Sequence, residues 1–486
     1  MLPDSVQNLH IFVVQKKAFI FSVYYICNKH LLEGYVMKII TTYKVKINGY
    51  DKVFSVTTKK FRDAEEFYLD VIQKEWPSIS LCETQNQKIN MVESLTVTTK
   101  KRNTVPYDFG DKFYKFPSYY RRAVIAKVLG KVSSYQSNLS NWEKEDKITR
   151  GKCPSMPQVG SDWAILYKDE CYVLNEEKNT CLIKVWIRNT WDWVEVSLNK
   201  SDMEYIRKHC SGKKRCSPTL RKNGKKWYLS FPFEENRKLA DKTVWEQTVV
   251  AVDLGINNAC VCSVLKSDGT VLGRHFLSLP KENDSLQKAL GRLIKAQKHG
   301  AVHTPRLWAK VIGINNDIAV KTSKFIEDIS VLYNADVIVF EHLTLNGKKH
   351  GKKKQRLHLW KAKAIQDMVT LKAHRMGMHI SRICAWGTSK LAFDGSGAVQ
   401  RGEYTDGNGN KHYNYSVCTF KTGRQYNCDL NASYNIGARY FIREILKSLT
   451  EKEGLELKAK VPELSKRTTC TLSSLIKLNA GLYASA

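Results

Sequence analysis

Two apolar runs in the second half of the chain each stop on a carboxylate. In TVVAVDLG, residues 248–255, Val249 to Val252 read as a buried strand that Asp253 ends. In ADVIVFEHL, residues 335–343, another buried strand ends at Glu341. A third acid, Asp429, stands directly before a stretch carrying Leu430, Tyr434, Ala438, Phe441 and Ile445 on one side, the spacing of an amphipathic helix. Each acid alone has an ordinary reading: Asp253-Leu254-Gly255 as a turn after a strand, Glu341 as a solvated acid at a loop, Asp429 as an N-cap. What constrains the fold is their order along the chain.

That order is three strands, then helix, strand, helix, strand and helix. Strands are expected at 248–254, 259–265 and 270–277, with Asp268-Gly269 turning the chain between the last two. Val311, Ile314, Ile318, Phe325, Ile329 and Leu332 recur at roughly helical spacing. A helix over about 358–376, a strand at HISRI and a Gly-rich segment, 387–425, precede the final helix. The succession predicts a mixed α/β sheet covered by helices, in the order of an RNase H-like fold. In such a sheet the first and fourth strands are neighbours and the last helix crosses their ends, so the three acids would meet. Three carboxylates at one point repel unless cations neutralise them. Hard oxygen ligands suit Mg²⁺ or Mn²⁺. Two such ions about 3.5–4 Å apart serve phosphodiester hydrolysis. Asp253 would bridge them, with Glu341 and Asp429 holding one ion each.

The formal charge of +31, from 78 Lys and Arg against 47 Asp and Glu, favours a polyanionic partner, nucleic acid being the commonest. The alternative is a basic chain shaped for solubility or membrane adhesion. Thirteen cysteines without a CxxC spacing suggest reduced thiols in an intracellular protein. AFIFSVYYIC, residues 18–27, is apolar but too short to span a bilayer, so no membrane partner is expected. Met37 opens an alternating stretch that looks like a better start, leaving residues 1–36 as an N-terminal extension. Over 37–60 the chain reads as two strands around Asn48-Gly49. Residues 61–75 and about 116–145 read as helices, and strand character returns over 160–233. The pattern predicts a helical insert within a small β domain.

AVDLGINN, DVIVFEHL and NCDLNASYNIGARYF resemble the three RuvC motifs of TnpB-type proteins, the family of transposon-encoded RNA-guided nucleases and compact type V CRISPR effectors. The resemblance covers 246 to about 445, and GKKWYLSFPFE upstream is similar to the strand leading into the first motif. It implies Mg²⁺-dependent cleavage of target DNA chosen by a guide RNA and a short flanking motif, with Asp253, Glu341 and Asp429 as catalytic acids. It also implies a prokaryotic, cytoplasmic protein acting as a monomer or as a homodimer on one RNA. Its domains would be a wedge-type β-barrel in two parts, 37–60 and 151–245, around a helical recognition insert, 61–150. A RuvC-like nuclease would follow in two parts, 246–383 and 429–486, around a zinc-ribbon-like insert, 384–428. The insert departs from the family. Ala392 and Gly395 stand where one cysteine pair belongs, Lys421 replaces the partner of Cys418, and Cys384 and Cys428 are off-register. One remaining thiolate cannot build a tetrahedral site, so no structural zinc is predicted, and 395–410 is expected to be mobile.

Basic tracts supply candidate contacts. Lys348, Lys349, Lys352, Lys353, Lys354, Arg356, Lys361 and Lys363 follow Glu341 with no acid before Asp367. They suit a strand's phosphates, or else form a solvated loop. A second tract, 207–226, contains Lys213, Lys214 and Arg215; with Trp227 and Tyr228 it suits RNA phosphates and stacked bases. Tyr119, Tyr120, Arg121 and Arg122 are candidates to touch a guide–target duplex, the alternative being that aromatics at helical spacing belong to the core. Two other readings stay open: a guide-independent, resolvase-like nuclease, and an RNA-guided binder without cleavage. A transposase reading is weaker, because no strand-joining apparatus is visible.

Overall fold

The computed structural model describes residues 36–49, 51–144, 151–255, 258–343 and 360–483. Residues 1–35 of the expected extension and the basic run Lys348, Lys349, Lys352, Lys353, Lys354 and Arg356 lie outside the described residues. The chain divides into two compact units, one of Ile40–Glu235 and one built chiefly of Asn236–Ala486. Among the described residues no helix is long and apolar enough to cross a membrane.

The first unit starts with β1 (Val36–Asn48) and continues through α1 (Asp51–Lys74), α2 (Trp76–Ser80), α3 (Gln85–Thr96), α4 (Phe109–Lys112) and α5 (Ser118–Lys144). Then come β2 (Tyr172–Asn175), β3 (Thr180–Ile187), β4 (Thr190–Leu198), α6 (Lys200–Cys210), β5 (Lys214–Arg215), β6 (Thr219–Asn223) and β7 (Lys226–Lys238). Its seven strands run in the order β2-β3-β4-β1-β7-β5, with β6 on β7. The expected hairpin at Asn48-Gly49 is not there: the chain enters α1 at once. Phe54, Thr57, Phe61, Ala64 and Tyr68 are buried at three- and four-residue intervals, a helical period that outweighs the β-branched residues between them. Helices and sheet share one aromatic core. Phe61 lies 4.9 Å, centroid to centroid, from both Tyr120 and Trp163.

The second unit contains β8 (Val249–Leu254), β9 (Cys260–Leu265), β10 (Val271–Leu277), α7 (Pro280–Lys298), α8 (Pro305–Leu332), β11 (Val337–His342), α9 (Ala362–Arg375) and β12 (His379–Cys384). It continues with β13 (Gln400–Thr405), β14 (Lys411–Thr419), β15 (Gln425–Asn427), α10 (Cys428–Ser448), α11 (Glu451–Lys460) and α12 (Leu472–Tyr483). The main sheet has the order β10-β9-β8-β11-β12, with β11 parallel to both β8 and β12, so the first and fourth strands are neighbours as expected. Strand alternation sorts the side chains into two cores. Val249, Ala251, Val337 and Val339 pack with Leu430, Phe441 and Ile445 of α10. Val250, Val252, Ile338 and Phe340 pack with α8 and α9 through Ile326, Ile365 and Val369. The result is a sheet between two helical layers.

Two contacts hold the register that matters. At the start of the strands the Asp336 carboxylate accepts from the Thr248 amide at 2.9 Å and pairs with Lys242 at 2.9 Å. Under α10, a Cβ on Gly437 would come within 2.7 Å of Leu265 Cδ1 and 3.1 Å of Ala251 Cβ, so only glycine lets this helix lie so close to the sheet.

Candidate active site

Residues of one parity on β8 and β11 face α10: Val249, Ala251 and therefore Asp253; Val337, Val339 and therefore Glu341. The ladder pairs Val252 with Phe340, which brings the next residues, Asp253 and Glu341, abreast at the carboxyl ends of parallel strands. Asp429 arrives from above. The N-cap of α10 is Asn427, whose side chain accepts from the Leu430 amide at 2.9 Å, so the capping role open to Asp429 falls to its neighbour. Asp429 sits in the first turn, partly exposed like the other two acids.

The electrostatics agree with the geometry. Burial raises the Asp253 carboxyl well above the usual range, and the negative charges of Glu341 and Asp429 raise it further, with Arg401 opposing. Burial likewise raises Glu341, against the Thr388 hydrogen bond and the positive charge of Arg439. Among the described residues no three His, Cys, Asp or Glu side chains close tightly enough to hold an ion. The charges of Glu341 and Asp429 nonetheless act on Asp253. An all-carboxylate donor set fits a hard divalent ion.

Sequence reading missed the residues that hold the acids. Asn258 Nδ2 donates to Asp429 Oδ2 at 2.9 Å. The Thr388 hydroxyl donates to Glu341 Oε1, and Gln366 Nε2 donates to the Glu341 carbonyl at 3.0 Å. Asn435, with no exposed surface, donates to the Thr388 carbonyl at 2.9 Å and so fixes that loop to α10. A Cβ on Gly255 would meet the Asn258 carbonyl oxygen at 2.5 Å, so the turn that presents Asn258 needs glycine. Of these, only the Gly-Ile-Asn-Asn run after Asp253 carried a visible signal.

The segment expected as a loop with ribbon remnants is a three-stranded antiparallel sheet, β13-β14-β15. The Asp406 carboxylate accepts from the Asn408 and Asn410 amides at 2.9 and 2.8 Å, making the turn of a β-hairpin. Ala392, Cys418, Phe420 and Cys428 form a small apolar core where the family's ribbon would bind metal. The Cys428 thiol, hydrogen-bonded to Cys418 and next to Arg401, is brought down to about 7.

The basic candidates of the first unit are paired internally. Arg121 Nη2 lies 3.1 Å from Glu93 Oε1 and Arg122 bonds the other oxygen. Lys213 pairs with Glu235 at 3.2 Å, Lys214 with Glu234 at 3.9 Å, and Arg215 with Glu176 at 2.7 Å. Trp227 is 3% exposed and belongs to the core, so it offers no face to a base. Tyr120 is likewise buried and donates to the Lys184 carbonyl at 2.7 Å, while Tyr119 remains exposed. Both buried rings follow the alternation or helical period of the core, which the tract's basic composition masked.

Comparison with known proteins bears on this arrangement. A TnpB-like protein of Aquifex aeolicus is 28% identical over 243 residues, 45% of this chain and 76% of the relative. Over that span the chain is similar to a TnpB-like protein. The Aq_aa04 family model matches residues 41–187, and an uncharacterized Aquifex aeolicus protein of that designation is 27% identical over 169 residues, 32% of this chain and 93% of the relative. A solved Cas12f1–sgRNA–target DNA complex matches 82% of this chain and 98% of its own at 14% identity, with a TM-score of 0.30. A solved AacC2c1–sgRNA–DNA complex matches 76% of this chain and 62% of its own at 9% identity, with a TM-score of 0.36. Scores at that level carry no argument on their own.

Proposed function

We propose that this protein is an RNA-guided DNA endonuclease that hydrolyses phosphodiester bonds at Asp253, Glu341 and Asp429. What supports the reading is that Asp253 and Glu341 follow the paired residues Val252 and Phe340 at the carboxyl ends of β8 and β11, and that the charges of Glu341 and Asp429 both act on Asp253. The TnpB-like relative supports the guided form of the activity, and the formal charge of +31 supports nucleic-acid partners.

The three acids would hold Mg²⁺ or Mn²⁺, two ions in the full site, and bound ions supply an activated water and offset the charge that develops on the phosphate. The rest is work for the chain. Asn258 and Thr388 each occupy one oxygen of Asp429 and Glu341, orienting those carboxylates and leaving the other oxygen free to ligate. Asp253, flanked by both, is the acid whose negative charge is hardest to keep without a cation, which suits it to bridge. In this reading the 40–235 unit, with a wedge-type β-barrel and the recognition insert α1–α5, binds the guide RNA and its duplex with target DNA. Exposed Lys214 and the run from Lys348 to Arg356 would follow the phosphates, with Lys213 and Arg215 joining them only by exchanging Glu235 and Glu176 for phosphate.

The test is to sequence RNA that copurifies with the protein and to reprogram its variable end. Mg²⁺-dependent cutting of the matching DNA is the expected result. Metal-dependent cutting with no bound RNA would assign a guide-independent nuclease instead.

A further inference from the structure

A cavity of about 320 Å³ opens at the carboxyl end of β12, beside the acids but separate from them. Six of its lining residues are cationic, Arg382, Arg439, Arg443, Lys447, Lys458 and Arg467, and none is acidic. Three of them, Arg439, Arg443 and Lys447, stand four residues apart on α10 and therefore form one stripe along the helix. Like charges at that spacing destabilise a helix unless something negative answers them.

The protein answers only part of this charge. Glu444, outside the cavity, takes Arg443 Nε at 2.6 Å and Lys447 Nζ at 3.2 Å. Arg443 also donates to Ser381 Oγ at 2.7 Å, which holds its head at the edge of β12. Arg439 is buried and spends its donors on the carbonyls of Cys470, Cys384, Trp386 and Thr468, at 2.7–3.0 Å. Carbonyls fix its position and leave its positive charge in place. Lys458 and Arg467 carry charges that no carboxylate in the lining offsets.

The cavity is joined to the acid site through the loop after β12. Cys384 pairs with His342, the residue after Glu341, in the parallel ladder. The loop that follows supplies Trp386 to Arg439 and Thr388 to Glu341. The two sites thus meet at the carboxyl ends of the neighbouring strands β11 and β12.

The geometry points to this cavity as a phosphate seat that grips the backbone of the nucleic-acid strand being cut, a short way along from the bond that the acids attack. This rests on the nuclease reading above and adds to it a positioning site on the 382–467 face. A seat of this kind sets the register of the strand and contributes affinity without base preference.

The experiment uses the full-length protein in metal-free buffer, so that binding is read without cleavage. A fluorescent single-stranded DNA is titrated against wild type and the double variant Lys458→Gln, Arg467→Gln over a series of salt concentrations. The expected result is weaker binding by the variant, with the slope of log Kd against log salt reduced by about 1.4 for the two lost contacts, and unchanged thermal melting. Inorganic phosphate is titrated in parallel. Oligonucleotide affinity and salt slope unchanged in the variant would overturn the proposal. Phosphate-induced stabilisation of wild type alone, with oligonucleotide binding unchanged, would also overturn it by assigning the cavity to a free anion. Programmed cleavage by wild type reads the nuclease assignment separately, so a failed seat leaves that result standing.

Discussion

The two units give their acids opposite company. In the 40–235 unit Glu65 has no exposed side-chain surface and is met by Lys127 and by Lys131, the latter at 2.9 Å, while Glu93 is shared by Arg121 and Arg122. In the other unit Asp253 is met by Glu341 and Asp429. A buried acid between two bases belongs to the architecture, because removing one partner strands the others. An acid between two acids works against the fold once it is ionised, and it is either held protonated or offset by a cation. Asp336 sharpens the difference: on the same segment as Glu341, it pairs with Lys242 and fastens the opposite ends of the strands. One segment therefore carries a paired carboxylate just before its strand and a carboxylate beside other acids at the strand's far end.

The contrast breaks most sharply at Asp253. Asp253→Ala is expected to lower DNA cleavage by about 10³-fold or more, since several kcal/mol of charge stabilisation are lost. A gel assay checks this, and full cleavage by the variant would remove the acid cluster from the chemistry. In the paired unit, Glu65→Ala is expected to cost about 3–5 kcal/mol in urea unfolding, because it leaves Lys127 and Lys131 without their partner. A loss below about 1 kcal/mol would mean that the pair is effectively solvated, and the distinction between the units would fail.

Titration gives two smaller effects of opposite sign. His374, buried in α9, is pushed down to about 4 by burial and by the nearby His379 and Arg382. Its folded value lies below its unfolded one, so its contribution is present above about pH 6.5 and is lost as pH falls toward 4. The shift corresponds to about 3 kcal/mol, and His374→Leu should flatten the stability profile in that window. Asp253 and Glu341 are raised, so the metal-free protein loses stability as pH rises above the ordinary carboxylate range. Asp253→Asn should remove part of that loss and raise metal-free stability at pH 7 relative to pH 5, read by denaturant melts at the two pH values.

The acid-bearing strands were legible because each is a short apolar run with an abrupt carboxylate, and the helix after Asp429 because its apolar spacing is regular. Local turn signals were less dependable. Asn48-Gly49 reads as a hairpin, yet the residues after it have a helical period and a core to bury against, and packing decides. The stretch 395–410 reads as a mobile Gly-rich loop, yet it includes β13, and Ala392, Cys418 and Phe420 give the neighbouring strands a core. The positioning groups Asn258, Thr388 and Asn435 escaped notice because polar residues in loops and helices gain their roles only when distant segments meet. In the basic tracts, composition does not say which lysines and arginines already have acids beside them, as Lys213 and Arg215 do.

The central claim is that like-charged carboxylates are gathered here for a cation, and calorimetric titration of Mn²⁺ into metal-free protein tests it directly. Saturable uptake by wild type, accompanied by a rise in melting temperature and abolished in Asp253→Ala, is the result expected. Absence of saturable uptake, or equal uptake by the variant, would contradict it.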